Sequence, residues 1–400
     1  MIPKTFVVCL ALVTGLSTVS ILRASQNPGA VFLMIWPTAR STGLAGAMTA
    51  LADEQDAAYW NPGGLGFQRS LGATVTGAPW LPGLYPGMFY GYASGGFGIG
   101  EPFGQGSNLN LGANVTYLTT GETDVVNERG EFLGRYTTWD AAFGIHGGLA
   151  LSDKLGLGAN LKYVHSFLVP EWVWKVMPEL GIEAGGTGRS VAIDAGALYK
   201  PWRFLNVGVT LANLGPNISY TSSGESDPLP ATLRLGLCFT PIDDPLLRVR
   251  GLVEFDKILV GMFYDTTGTK SSGRLWNEEM RDAWKSAAFE ATVLQLVSAR
   301  VGYFEDLTGQ RGGFVMEKEG QTYHYGLGDL LTRNDLGTPK SIGLCLGLGI
   351  GYKDYARLEV SSDALIYDFK TDNWKLALTL NDLGGLMRDL SRGMSFDWLP

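Results

Sequence analysis

The sequence SIGLCLGLGIGY at residues 341–352 alternates strictly between two kinds of side chain. The even positions carry Ile, Leu and Tyr, whereas the odd positions carry Ser, Cys and Gly. Successive side chains of a β-strand point to opposite faces, so this stretch predicts a strand with one apolar face and one face of small residues. A strand that faces lipid on one side and a wet, narrow interior on the other needs this pattern.

Similar alternation recurs along the whole chain. We predict fourteen strands, near residues 70–77, 86–95, 108–119, 138–151, 154–167, 189–200, 204–214, 230–240, 246–257, 285–294, 297–305, 340–352, 355–368 and 373–382. A soluble β-sandwich also alternates, but its solvated face has no special use for glycine. Here glycine and charged residues share one face, as expected for a crowded interior. The sequence therefore predicts an all-β fold, a 14-stranded antiparallel transmembrane β-barrel with the even strand number of single-chain bacterial barrels.

The lengths of the connections give an independent indication of the same fold. Links from even to odd strands are mostly tiny, at 152–153, 201–203, 241–245, 295–296 and 353–354. Links from odd to even strands are mostly long, at 120–137, 168–188, 215–229, 258–284 and 306–339. Outer-membrane barrels have short periplasmic turns and long external loops. Only the first two strands depart from this rule, because their outer link, 78–85, is shorter than the inner link, 96–107.

The first residues have the composition of an export signal. Lys4 is followed by an uncharged apolar run at 5–22 and then by Arg23-Ala24-Ser25. A single membrane anchor is the alternative, since the run is near the lower limit of roughly 17 to 25 residues for a span. The small residues after the run favour a cleaved signal peptide at 1–25. Together with the barrel pattern, this predicts the outer membrane of a Gram-negative-type bacterium.

Small residues dominate the stretch RSTGLAGAMTALAD at 40–53, which continues through DAAYW at 56–60 to NPGGL at 61–65. Its Gly and Ala residues let the backbone lie against a wall at little side-chain entropy cost. The Asn-Pro-Gly-Gly sequence is typical of a turn. These residues alone fit either a segment packed inside a barrel or a surface loop with a short Ala-rich helix.

This stretch resembles the N-terminal signature of FadL-like outer-membrane barrels, and most closely that of the PorV/PorQ family associated with type IX secretion. The resemblance implies a fourteen-stranded barrel with an N-terminal plug that enters the lumen before the first strand. The plug-motif residues are Arg40, Gly43, Gly46, Asp53, Asn61, Pro62 and Gly63. The chain departs from the family at Gly63, where alanine is usual, and in the tail that follows its last strand. Weaker similarity recurs at 193–199, 211–216, 230–236 and 299–303.

These features divide the chain into four parts. We expect a signal peptide at 1–25, an N-terminal plug segment at 26–69, the barrel at 70–382 and a periplasmic tail at 383–400. Inward positions carry charges of both signs, which we expect to pair with each other and with the plug. Arg234, Arg248 and Arg250 allow a second interpretation as a candidate luminal anion site, because two of them point inward from one strand near the third.

Two of the predicted outer loops contain apolar residues. The loop 168–188 holds Trp172, Trp174 and Met177, and the loop 258–284 holds Trp276, Met280 and Trp284 at helical spacing. Asn277, followed by two acids, predicts a helix start in the second loop. The two loops either bury these residues in each other over the barrel mouth, or form a site for a hydrophobic ligand or a protein partner.

Several classes of function are disfavoured. His146, His165 and His324 lie far apart without metal-ligand spacing, so we expect no metal and no cofactor. A rim histidine such as His165 has no identifiable orienting acid, so we expect no enzyme. The formal charge is −8, and it becomes −10 once residues 1–25 are removed, which argues against nucleic acid as a partner.

Two functions remain open. The closer resemblance favours a secretion-associated barrel whose outer loops bind secretion-system proteins or exported cargo. The alternative is a FadL-like channel for hydrophobic small molecules such as long-chain fatty acids. Outer-membrane lipid is an expected partner in both.

Overall fold

The structure is a computed structural model, and it describes residues 27–104, 106–177, 185–221, 225–265, 268–364, 366 and 373–392. The predicted signal peptide and the end of the tail, 393–400, lie outside the described residues. Within the described part of the chain, no helix combines the length and apolarity that a membrane span requires.

Fourteen long strands form one closed antiparallel barrel. They are β1 Gly72–Pro79, β2 Phe89–Gly98, β3 Asn108–Val126, β4 Phe132–Ser152, β5 Leu155–Phe167, β6 Thr187–Trp202, β7 Leu205–Leu214, β8 Thr232–Asp243, β9 Leu247–Ile258, β10 Trp284–Val293, β11 Val297–Asp306, β16 Leu344–Tyr352, β17 Ala356–Ser362 and β18 Trp374–Leu380. Each pairs with its neighbour, β11 pairs with β16, and β18 pairs with β1 to close the barrel. The predicted 14-stranded fold is confirmed.

The two faces of the barrel wall differ as the alternation predicts. On β16, Leu346, Leu348 and Ile350 are 53%, 58% and 64% exposed, whereas Cys345 is fully buried. The exposed apolar side chains of neighbouring strands continue this surface around the barrel. Such a surface is stable only against lipid, because soluble proteins rarely expose contiguous apolar patches larger than a few hundred Å². The inner face carries glycine, small polar residues and charges.

Three predicted boundaries are wrong, and the simplest case is the strand predicted at 355–368, which ends at Ser362. Strands β3 and β4 continue as a paired hairpin through most of 120–137, which we expected to be a loop. The predicted strand 340–352 is divided at Gly343, and its first part is β15 (Thr338–Ile342). With β13 (Phe314–Lys318) and β14 (Gln321–Tyr325), β15 forms a separate three-stranded sheet, while β12 (Arg311–Gly312) adds to β11.

Short helices lie in the long connections and after the last strand. They span Glu171–Val176, Ser272–Asp282, Leu327–Thr332 and Leu383–Ser391. The predicted helix start at Asn277 is wrong, since Ser271 caps the helix by accepting a hydrogen bond from the Arg274 amide. The last helix is held near the turn after β16, where the Lys353 Nζ donates to Asp389 at 2.5 Å. This hydrogen bond lowers the pKa of the Asp389 carboxyl.

Candidate functional site

The N-terminal segment, residues 30–67, packs against the inner face of the barrel wall. It consists of four short helical pieces, namely Val31–Met34, Ala39–Gly43, Ala57–Trp60 and Pro62–Phe67. From Pro37 to Gly66, every residue except Asp53 is buried. The large side chains of Trp60, Met48 and Leu44 are fully enclosed.

A capping box fixes the position of Arg40. The Thr38 side chain accepts from the Ser41 amide, and the Ser41 hydroxyl accepts from the Thr38 amide, which starts the helix Ala39–Gly43. Thr38 also donates to Asp56 Oδ2 at 2.9 Å, which joins the two halves of the segment. Arg40 is thereby held at the first turn of this helix.

The Arg40 guanidinium binds three carboxylates while fully buried. Its Nη1 lies 2.6 Å from Asp53 Oδ1 and 2.9 Å from Glu54 Oε1. Its Nε lies 2.9 Å from Oε2 of Glu290 on β10, and its Nη2 lies 2.9 Å from Oε1 of the same residue. This bidentate geometry is the strong form of the arginine–carboxylate interaction.

The wall supplies the remaining charges of this network. Arg300 of β11 binds Glu290 and Glu359 at 2.7 Å each, and Arg357 of β17 binds Glu54 at 2.8 Å. Arg250 of β9 binds Glu290 at 2.9 Å and Asp53 at 3.1 Å. Four arginines thus meet four carboxylates. We call this set the Arg40 network, and its members are Arg40, Arg250, Arg300, Arg357, Asp53, Glu54, Glu290 and Glu359.

The turn at Asn61 fastens the other end of the segment. Its side-chain amide donates to Thr49 O at 2.8 Å and to Ala197 O of β6 at 2.9 Å, while its Oδ1 accepts from the Gly63 amide at 3.1 Å. A Cβ on Gly63 would lie 2.8 Å from Gly156 O. This close approach explains why glycine stands at the position where the resemblance implied alanine.

Two other motif glycines also permit close packing. A Cβ on Gly43 would lie 2.9 Å from the Cα of Gly347 on β16. Gly46 has a φ of +82° and lies against the Trp36 ring. Pro62 occupies the start of the turn of helix at Pro62–Phe67. All seven motif residues therefore lie in one segment along the inner wall, and their role as a plug stays a prediction.

The three arginines of the candidate anion site do not come together. Arg234 donates to Tyr59 O at 2.7 Å and lies over the ring of Trp60. Arg248 binds Asp243 at 2.7 Å at the periplasmic end of the barrel, and Arg250 belongs to the Arg40 network. Because each guanidinium already meets a carboxylate or carbonyl, the arrangement gives no support to a shared anion site.

The outer-loop aromatics separate into three environments. Trp172 packs edge-to-face on Tyr136 of the β3–β4 hairpin at 6.3 Å, and the Trp174 indole donates to Gly185 O at 3.1 Å. Both are half-buried, as is Met177 at the end of their helix. Trp276 is 56% exposed and stacks on Phe263 at 6.2 Å. In the described parts of the two loops, none of these tryptophans stacks on a tryptophan of the other loop.

The spacing predicted that Trp284 would share a helical face with Trp276, and this prediction is wrong. The helix ends at Asp282, and Trp284 begins β10 with its side chain on the inner face. There it meets Phe304 edge-to-face at 5.8 Å and lines a cavity of about 130 Å³ with Trp36 and Trp80. Sequence reasoning missed this aromatic cavity, because its residues come from four distant parts of the chain.

Lys375 and Asp363 complete the cavity. Lys375 Nζ donates to Trp36 O at 2.6 Å and to Thr42 Oγ1 at 2.9 Å, so it ties the N-terminal segment to β18.

No group of three or more His, Cys, Asp and Glu residues among those described is placed to hold a metal ion.

The apolar outer wall, the polar inner wall and the fourteen closed strands define an outer-membrane β-barrel. The family model described as type IX secretion system protein PorV matches residues 23–265, which is more than half of the chain. The chain belongs to this family. It is thus an outer-membrane barrel protein associated with type IX secretion.

Solved structures with a similar fold include transporters. The toluene transporter TbuX of Ralstonia pickettii is 10% identical, with a TM-score of 0.46 over 86% of this chain and 97% of that chain. The toluene transporter TodX of P. putida is 11% identical, with a TM-score of 0.46 and the same coverage. A FadL homologue of Pseudomonas aeruginosa is 12% identical, with a TM-score of 0.38 over 86% and 98%. Among curated proteins, no sequence matches the chain significantly.

Proposed function

We propose that this barrel is a sealed scaffold whose outer loops bind a protein partner of type IX secretion. The observation that carries the proposal is the Arg40 network, which fastens the N-terminal segment to the wall across the barrel interior. A buried ion pair that loses one partner costs on the order of 3 to 5 kcal/mol. Displacing the segment to let a molecule pass would break several such pairs together.

The outer loops offer an apolar surface suited to a protein partner. We call it the outer platform: the helix Ser272–Asp282 with Phe263, and the helix Leu327–Thr332. Trp276 and Leu331 are 56% and 89% exposed, and Arg281 binds Asp329 at 3.4 Å to link the two helices. Large exposed apolar side chains are enriched at protein interfaces. The platform is more accessible than Trp172, which packs on the β3–β4 hairpin, and Trp174, which is hydrogen-bonded within its own loop.

The aromatic cavity favours a second candidate, a channel for hydrophobic small molecules. Its volume of about 130 Å³ suits only a small ligand, and Lys375 at its wall is already hydrogen-bonded to Trp36 O and Thr42 Oγ1. A hydrophobic molecule that entered it would next meet the buried charges of the Arg40 network, which are unfavourable for apolar solutes. The scaffold is therefore the better supported function.

The test compares two paired variants of the full-length protein in its native bacterium. Trp276→Ala with Leu331→Ala removes the exposed centre of the platform. Trp374→Ala with Leu376→Ala removes the same residue types from the outer face of β18, where they are 53% and 56% exposed. Affinity-tagged proteins are then purified, and known type IX components are quantified by mass spectrometry.

We expect the platform variant to lose most of its type IX partners and the β18 variant to keep them. Uptake of a fluorescent fatty acid by a heterologous host should stay at background for all three proteins. Retention of every partner by the platform variant would exclude the outer platform as the docking surface. Uptake by the wild type, lost in Trp36→Ala, would instead support the channel.

A further inference from the structure

A basic cavity lies at the periplasmic end of the barrel, away from the outer platform. It has a volume of about 500 Å³ and is formed by the turns between β4 and β5 and between β6 and β7. Its cations are Lys154, Lys200 and Arg203, and Asp153 is the one acid among its lining residues. The two turns are joined by a hydrogen bond of 2.7 Å from the Lys200 amide to Lys154 O.

Several other cations at this end of the barrel have carboxylate partners, whereas these three do not. Arg69 pairs with Glu101 at 3.6 Å, Arg248 with Asp243 at 2.7 Å and Lys353 with Asp389 at 2.5 Å. Across the described part of the chain, Lys154, Lys200 and Arg203 have no carboxylate within 4 Å. Three cations close together without a carboxylate partner create a local positive potential that attracts an anion, although the net charge of the chain is −8.

Aromatic side chains place the cavity at the membrane interface. Trp202 stacks on Phe204 at 5.8 Å with an interplanar angle of 3°, and Phe204 meets Phe239 edge-to-face at 5.7 Å. The three rings are 58%, 47% and 47% exposed. Exposed aromatic side chains form girdles at the two lipid–water interfaces of outer-membrane barrels. The cations therefore lie at the level of the headgroups in the periplasmic leaflet.

We propose that this cavity binds the phosphate headgroup of an anionic glycerophospholipid. The ammonium of Lys154 and the guanidinium of Arg203 donate to the phosphate oxygens, and Trp202 contacts the start of the acyl chains, whereas Lys200 lies on the luminal side and adds positive charge behind them. Lys200 is held in place by Phe67, whose ring lies 3.5 Å from its Nζ. Since Phe67 ends the N-terminal segment, Lys200 connects the cavity to the base of that segment.

Phosphatidylglycerol binding to the full-length barrel in detergent provides the test, measured by native mass spectrometry. The variant is Lys154→Gln with Arg203→Gln, two exposed side chains whose loss leaves the Lys200–Phe67 contact in place. The matched control is Lys175→Gln with Arg129→Gln, which removes the same two residue types from the outer loops. Heat-modifiable gel mobility shows that each barrel is folded.

We expect the wild type and the control to bind phosphatidylglycerol equally, and the cavity variant to bind on the order of tenfold more weakly. Inorganic phosphate, which lacks acyl chains, should not displace the lipid at equal concentration. Equal binding by the cavity variant would overturn the proposal, as would equal binding of zwitterionic phosphatidylcholine by the wild type. Displacement by inorganic phosphate would reassign the cavity to a soluble anion.

Discussion

Arg40 joins parts of the chain that are far apart in sequence. Its partners Asp53 and Glu54 are close by, but Glu290 is separated from it by 250 positions. The guanidinium is fully buried, so its charge is stable only while the surrounding carboxylates remain in place. The same holds for the carboxylates, each of which meets at least one arginine.

Replacing Arg40 should therefore destabilise the protein strongly. We expect Arg40→Met to lower the free energy of unfolding by about 3 to 5 kcal/mol, because it leaves buried carboxylates without their common partner. Urea unfolding in lipid vesicles measures this change. The control is Arg69→Met, which breaks an exposed pair with Glu101 and should cost no more than about 1 kcal/mol. Equal losses in the two variants would show that the Arg40 network adds no stability.

The residue-level pairing could be predicted from the sequence only in part. Alternation places Glu290 and Arg300 on the inner face, and the expectation that inward charges pair follows from the cost of burying them alone. The choice of partners depends on strand positions around a closed barrel, which one sequence does not contain. Arg234, Arg248 and Arg250 illustrate this, since similar inward positions led to three different surroundings.

At the scale of the strands, prediction succeeds where the membrane imposes two different faces. All fourteen barrel strands were predicted because one face must be apolar and the other small or polar. Outside the membrane both faces of a strand meet water, so the β3–β4 extension through 120–137 carries no such pattern. At Gly343 the alternation in the sequence continues, but the strand is divided into β15 and β16. The backbone packs closely there, since a Cβ on Gly343 would lie 2.7 Å from the Gly313 amide nitrogen.

A charge on the outer face of β16 tests the orientation of the strands. Leu346 is 53% exposed on that face, and we expect Leu346→Arg to cost about 2 to 4 kcal/mol because arginine would sit in the lipid core. Leu331→Arg, on an outer-loop helix where the leucine is 89% exposed, is the matched control and should have little effect. Heat-modifiable gel mobility and yield in the outer membrane report on assembly. Equal tolerance of both changes would contradict the lipid-facing register.

For the whole molecule, one continuous segment connects walls that strand pairing does not bring together. Arg40 binds β10, Asn61 binds β6, and Lys375 of β18 reaches back to Thr42. The contacts are spread around the barrel, so the segment and the wall stabilise each other. In the function we propose, a segment held in this way closes the lumen, and the outer surface is the part of the molecule that binds a protein partner.

Deleting residues 40–65 tests whether this segment closes the barrel. The deletion removes Arg40, Asn61 and the fully enclosed side chains between them, so we expect a barrel that still inserts but conducts ions. Planar-bilayer recordings measure the conductance, and heat-modifiable mobility identifies preparations in which the barrel has folded. The control lacks residues 272–282, an outer helix with no buried residue, and should stay as closed as the wild type. Wild-type conductance in the folded 40–65 deletion would mean that another part of the chain closes the lumen.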